Sequence, residues 1–323
     1  MQTHTLFRFS PVVIWLATSM IMTNAMAAES PIYGGPIGGS DMGSAYLPPK
    51  PGLYMGAGYV GFTSDRYQDV NGNSIHIDNS FDASAGVVGL NYVYKNKIFD
   101  GSVSSSLQVG YGQRCISFGQ RNCRSGFSDV YSDVFFWSKY LGDDKAADPS
   151  RAHLPYGLTV GGGLGVTVPS GRYDKNAQVN TGGNTWIISP NVALTYLTGP
   201  EYSLGGDGTE FSARLYYSMP LENPDTNFEA GNVVNVDWAI TQRYGYWQVG
   251  IAGQQAKQLD GDTLANGTRT NSKKFSSGSV GPVASVFLPS IGSQLKVKAA
   301  ANYDAENTFS GYSLVMVMGW NVF

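Results

Sequence analysis

The stretch TEFSARLYYSM, residues 209–219, decides the fold. Phe211, Ala213, Leu215 and Tyr217 take one parity, and Glu210, Ser212, Arg214 and Ser218 take the other. Successive side chains of an extended chain point to opposite faces, so this segment reads as a strand with one apolar and one polar side. The same pattern returns where Leu295, Val297, Ala299, Ala301 and Tyr303 oppose Lys296, Lys298 and Asn302. It returns again where Val234, Val236, Trp238 and Ile240 oppose Asn235, Asp237 and Thr241. Working outward, twelve such runs follow Leu53, near 53–63, 82–95, 103–113, 127–138, 154–168, 184–198, 209–219, 231–243, 245–259, 275–288, 293–304 and 311–323.

Alternation alone suits a soluble sandwich as well as a barrel in a membrane. Three features favour the membrane. Aromatic residues collect at run ends, at Tyr92, Tyr94, Tyr111, Trp137, Trp186, Tyr196, Tyr244, Tyr246, Trp247, Tyr303, Tyr312 and Trp320, where interfacial girdles belong. Connections alternate in length. Tight ones such as 96–102, 243–246 and 289–293 lie at one end, and the longer 64–81, 113–126, 169–183, 220–230 and 260–274 at the other; only 139–153 breaks the scheme. The last run, YSLVMVMGWNVF, finishes on Phe323, as in barrels whose final strand is read by the barrel-assembly machinery; alternation counted from that end places Phe323 on the lumen face. The expectation is an all-β chain forming one antiparallel transmembrane barrel of about twelve strands over residues 53–323, in the bacterial outer membrane, in contact with its lipid and lipopolysaccharide. The short connections and both termini then face the periplasm. With 41 Gly, 20 Tyr and 15 Phe among 323 residues and only 14% charged, the composition suits short twisted strands joined by turns.

Residues 1–27 read as a signal peptide, with Arg8, an apolar stretch from Pro11 to Met22, and Ala25-Met26-Ala27 as the cleavage site. No later stretch is apolar for the ~18 residues that a spanning helix needs. Removing Arg8 takes Lys+Arg from 21 to 20 and the formal charge from −3 to −4. Those charges are scattered without a basic stripe, which excludes nucleic acid as a partner. Residues 28–52 are rich in Gly and Pro, lack periodicity, and read as a tail or a plug. Cys115 and Cys123, in an exported chain, are expected to form a disulfide closing a small loop, worth roughly 2 to 3 kcal/mol on the chain-entropy model. The rival reading, a metal site, calls for further Cys or His nearby.

The stretches 166–197 and 215–240 resemble the family named for the meta-pathway of phenol degradation. The elements that carry the likeness are Pro169, Gly171, Tyr173 and Asp174; then Asn180, Gly182 and Asn184; then Asn223, Pro224, Asp225 and Thr226 with Phe228 and Gly231. The similarity runs from about Pro51 to Phe323, and its motifs are loop signatures, not catalytic constellations. It implies an outer-membrane barrel of a kind described, from gene context, as a transporter of aromatic or other hydrophobic compounds. The cysteine pair is not part of that pattern.

Rival chemistry is weak. Gly56-Ala57-Gly58-Tyr59-Val60-Gly61 matches the dinucleotide-binding spacing, with Asp78 near the ribose offset, but it lies inside an alternating run and leads into a loop instead of a helix. A barrel hydrolase needs a histidine beside a nucleophile; His76 falls in a loop and His153 at the start of a run, so both read as surface histidines. The polar-face charges Asp133, Glu210, Arg214, Asp237, Lys296 and Lys298 remain, either as solvated lumen residues pairing across strands or as a constriction that selects permeants. The reading is a channel for small, hydrophobic or aromatic compounds by passive diffusion, with no enzymatic activity, cofactor or metal and with an unidentified permeant. A barrel hydrolase and a structural or adhesive barrel are the alternatives.

Overall fold

Alternating runs become hydrogen-bonded neighbours in chain order, each strand antiparallel to the next. The computed structural model describes residue 35 and residues 39–75, 79–142, 155–270 and 274–322. The first strands are β1 (Gly52–Gln68), β2 (Asn79–Val93), β3 (Ser102–Phe118), β4 (Gln120–Phe127), β5 (Val130–Tyr140), β6 (Gly157–Val168) and β7 (Ile187–Leu197). After them come β8 (Gly208–Pro220), β9 (Val233–Tyr244), β10 (Trp247–Gln258), the two-residue β11 (Asp262–Thr263) and β12 (Arg269–Thr270), β13 (Ser276–Leu288), β14 (Ser293–Glu306) and β15 (Thr308–Asn321). β1 pairs with both β2 and β15, which closes the sheet. β4 and β5 share one position beside β3, and β11 and β12 form a separate ladder in a loop, so the wall is a closed barrel of twelve strand positions. The signal-peptide residues, His76, Asp78, His153 and Phe323 lie outside the described residues.

Burial is inverted relative to a soluble protein. On β7 the outward Val192, Leu194 and Tyr196 are exposed, while Ser189, Asn191 and Thr195 are buried. A wall with its apolar face outward and its polar face inward has lipid as its outer solvent. Ten of the twelve aromatics noted at run ends are exposed, all but Trp137 and Trp320.

One connection differs in kind from expectation. Residues 113–126 read as a long loop, but the sheet continues through them: β3 runs on to Phe118, turns at Gly119 (φ +82°) and returns as β4. Cys115 faces Cys123 across this hairpin, and the two form a disulfide. β1 and β2 also outrun their expected ends, reaching Gln68 and starting from Asn79. β14 and β15 are joined through Asn307 alone, in the left-handed conformation (φ 51°). Gly245 and Tyr246 turn β9 into β10 at the opposite end.

Candidate functional site in the barrel lumen

The N-terminal segment enters the lumen at the short-turn end and is held there chiefly by its own backbone. The N–H of Gly39 and of Ser40 each donate to Asp237 Oδ2 at 3.0 Å. Gly43 N–H donates to Glu210 Oε1 (2.8 Å), Ser44 N–H to Ser212 Oγ (2.8 Å) and Ala45 N–H to Thr195 Oγ1 (3.0 Å). The Ser138 hydroxyl donates to the Ala45 carbonyl. Side chains add two anchors. Ser40 Oγ accepts from Tyr216 OH at 3.0 Å, and Asp41, wholly buried, bridges Lys296 and Lys298, the latter at 2.6 Å. Ala45 and Leu47 pack with Phe136 and Ala193, and Met42 packs on Ala239, Ala252 and Val283.

All six charges expected on the polar face do point inward, and all are buried. Arg214 donates to Asp133 Oδ1 (2.8 Å) and Asn191 Oδ1 (2.8 Å), with its guanidinium 4.4 Å from the Phe136 ring centroid and 4.8 Å from that of Tyr216. Glu210 pairs with Arg243, and Asp237, Lys296 and Lys298 meet the N-terminal segment. Three carboxylates (Asp41, Asp133, Glu210) thus ion-pair with four cations (Arg214, Arg243, Lys296, Lys298), and a fourth, Asp237, accepts from the Gly39 and Ser40 N–H groups, so that the set is neutral and each charge has a partner in hydrogen-bond reach. Buried charges tolerate desolvation only when so paired. Two members, Asp41 and Arg243, were not singled out in the sequence. Asp41 is the lone charge between Pro31 and Pro49, and that isolation was the available signal.

The opposite sector of the lumen is apolar. Val60, Ala85, Val87, Val315 and Val317 form one buried cluster on β1, β2 and β15. Toward the long-loop end it continues into Phe62, Phe81, Phe309, Tyr67 and Ile116, with Val179 of the 169–186 loop reaching in among them. The Phe81 and Phe309 rings stack at 5.5 Å, and Tyr67 meets Phe309 edge-on at 5.2 Å. A small cavity lies where this sector meets the loop, lined by Val60, Ala83, Ala85, Arg114, Gly126 and Thr181. The sequence signal was VMVM (315–318), where both parities are apolar; Val315 and Val317 take the lumen side, and Leu314 and Met316 face outward.

The resemblance motifs meet at the long-loop end. Asp129, between β4 and β5, accepts the Gly171 N–H (2.8 Å) and the Gly183 N–H (2.7 Å). Gly171 and Gly182 approach so closely that a Cβ on either would sit 2.7 Å from the other's backbone. Asn180 Oδ1 accepts from Asp174 N–H and from Arg124, each at 3.0 Å, and Arg124 also reaches the Asp174 carboxylate at 3.1 Å. The Asn176 N–H, followed by Arg124, holds the Asp174 carboxyl below the usual 3.8. Asn184 Nδ2 donates to Asn223 Oδ1 (2.8 Å), and Asn223 Nδ2 donates to Tyr173 OH (3.0 Å). Pro169 follows the last residue of β6, and Pro224 and Asp225 lie in the turn bridged by Asn223 and Phe228. These residues brace two loops and the β3–β4 hairpin into one cap.

Among the described residues no group of three or more His, Cys, Asp or Glu is placed to hold a metal ion.

A family model whose description reads "Putative MetA-pathway of phenol degradation" matches residues 64–317. No curated protein matched the sequence. Among solved structures, the barrel is similar to an outer membrane channel from Pseudomonas putida F1, with 15% identity, TM-score 0.73, and 88% of this chain and 99% of that one covered. It is more distantly similar to the transport unit of the autotransporter AIDA-I from Escherichia coli, with 12% identity, TM-score 0.47, and 85% and 91% covered. At these identities the likeness is one of fold, that of outer-membrane β-barrels.

Proposed function

This chain belongs to the MetA-pathway of phenol degradation family, and we propose that it is a bacterial outer-membrane channel that admits small apolar or aromatic solutes by diffusion past a lumen-filling N-terminal plug. The observation that carries this reading is the division of the lumen. The plug occupies the sector formed by β5, β7 to β10 and β14, and its hydrogen bonds go to polar groups there. The opposite sector is lined by Val60, Val87, Val315 and Val317 beneath Phe62, Phe81 and Phe309. A hydrated sugar entering that sector gives up water for hydrogen bonds the wall does not return, whereas an aromatic ring loses nothing and gains about 25 cal/mol per Å² of apolar surface buried. The phenol-degradation description of the family agrees with an aromatic permeant.

The test is uptake in cells whose lipopolysaccharide leaflet slows apolar solutes. Expression of the full chain should accelerate entry of labelled toluene, while purified protein in liposomes should give little swelling in sucrose. Rapid sucrose swelling without any change in toluene entry would overturn the reading in favour of a hydrophilic pore.

A further inference from the structure

The turn between β2 and β3 departs from the usual chemistry of hairpins. Ile98 and Gly101 exchange backbone hydrogen bonds at 3.0 and 2.9 Å around Phe99 and Asp100, both of which lie in the left-handed region (φ 48° and 61°). A turn with two positive φ values favours Asn-Gly or Asp-Gly, and a bulky side chain there is an outlier. Phe99 occupies the position nonetheless, and it is 85% exposed. Such strain persists where the surroundings enforce it, and here they do. The Trp137 indole N–H donates to the Ile98 carbonyl at 2.7 Å, and Lys139 Nζ donates to the Phe99 carbonyl at 3.0 Å. Trp137 and Lys139 have the outward parity of β5, because Phe136 packs on Ala45 in the lumen and Ser138 donates to the Ala45 carbonyl. The tip is thus drawn onto the outer side of the wall, next to the exposed Tyr92 and Tyr94, whose rings meet edge-on at 5.1 Å. An apolar side chain held there meets the interface of the bilayer.

Charge selects the lipid. Lys95 and Lys97 are exposed on the same turn, and among the described residues neither takes part in an ion pair, while Lys139 lies 3.5 Å from Asp100. Lys95, Lys97 and Lys139 against Asp100 leave a local surplus of positive charge beside the apolar tip. The β7–β8 turn supplies the contrast. Its Leu204 is 84% exposed and is likewise held by an outward aromatic, since the Tyr244 hydroxyl donates to the Leu204 carbonyl at 3.1 Å, but the charges of that turn are Glu201 and Asp207. Both turns lie at the short-turn end, which in outer-membrane barrels faces the periplasm, where the leaflet is phospholipid. An apolar anchor and basic residues are the two signals that together hold a segment on an anionic surface.

We propose that the β2–β3 turn is a docking site for an anionic phospholipid of the periplasmic leaflet, with Phe99 immersed beneath the headgroups and Lys95 and Lys97 on the lipid phosphate. This goes beyond the channel reading and does not depend on what crosses the lumen.

A tryptophan at the tip reports the contact. The full chain carrying Phe99→Trp is reconstituted in vesicles of equal parts phosphatidylglycerol and phosphatidylethanolamine, with bromine on the acyl chains of one lipid or of the other, and the fluorescence of the native chain is subtracted. Heat-modifiable migration confirms that each barrel is folded. Quenching of the added tryptophan should favour brominated phosphatidylglycerol by about fivefold, the enrichment that one lysine at an anionic surface supports. Adding Lys95→Gln/Lys97→Gln should equalise the two lipids with quenching retained, and a Leu204→Trp reporter should not distinguish them at all. Equal quenching at Phe99→Trp, a preference that survives loss of the two lysines, or the same preference at Leu204→Trp would overturn the docking site. Absence of quenching by either lipid would place the turn in water and overturn it as well.

Discussion

Asp41 concentrates the electrostatics of the lumen in one side chain. It is the anion for both Lys296 and Lys298, and all three are buried. Removing one partner of a buried ion pair typically costs about 3 to 5 kcal/mol, because the remaining charge is left without compensation. Asp41→Asn removes the carboxylate that both lysines share, so the segment should loosen from the wall. Single-channel recording should show larger and more frequent openings, and unfolding should begin at lower denaturant; unchanged conductance with unchanged stability would mean the bridge does not hold the segment. At this scale the sequence was legible where a charge interrupted alternation. Asp133, Glu210, Arg214, Asp237, Lys296 and Lys298 all lie inward as their parity required. What parity could not supply was partnership, since Arg214 of β8 reaches Asp133 of β5 across two intervening strands.

Between residues and barrel lie the segments, and here the sequence was least informative. The stretch 39–45 is bound through the N–H groups of Gly39, Ser40, Gly43, Ser44 and Ala45, which every non-proline residue carries, so no side-chain pattern marked the binding. The β3–β4 hairpin was missed for a related reason. Beyond Ile116 and Phe118, residues 119–125 are polar on both faces of the returning strand, which is braced by Arg172, Thr181 and the Cys115–Cys123 disulfide. Alternation reports a strand only where its two faces meet different solvents. The disulfide itself followed from eight-residue spacing in an exported chain. The seating of the N-terminal segment can be fixed covalently: Ser44 and Ser212 place their hydroxyls 2.5 Å apart. In a background with Cys115 and Cys123 replaced by serine, Ser44→Cys/Ser212→Cys should oxidise spontaneously and suppress channel openings, which return on reduction. If the cross-link forms and permeation of aromatic solutes is unaltered, the segment passes them without moving.

For the whole molecule, the decisive sequence property was the inversion of polarity, with apolar parity outward and polar parity inward, and it holds around most of the wall. It fails on β15, β1 and β2, where Val315, Val317, Val60 and Val87 are turned inward although their strands are also apolar outside. A strand apolar on both faces gives no clue to which face is the lumen until its register is known, and register comes only from the closed ladder. That exception gives the lumen its two halves, a polar one that seats the N-terminal segment and an apolar one, the proposed path for solutes. Toluene uptake by intact cells producing the native chain or the Val60→Thr/Val87→Thr/Val317→Thr variant tests this most directly, since threonine keeps the shape of valine and replaces a methyl by a hydroxyl. The division of the lumen predicts that uptake falls on the order of tenfold in the variant, as the lost apolar contact requires, with barrel assembly and ionic conductance preserved. Equal toluene uptake by the two proteins would contradict it.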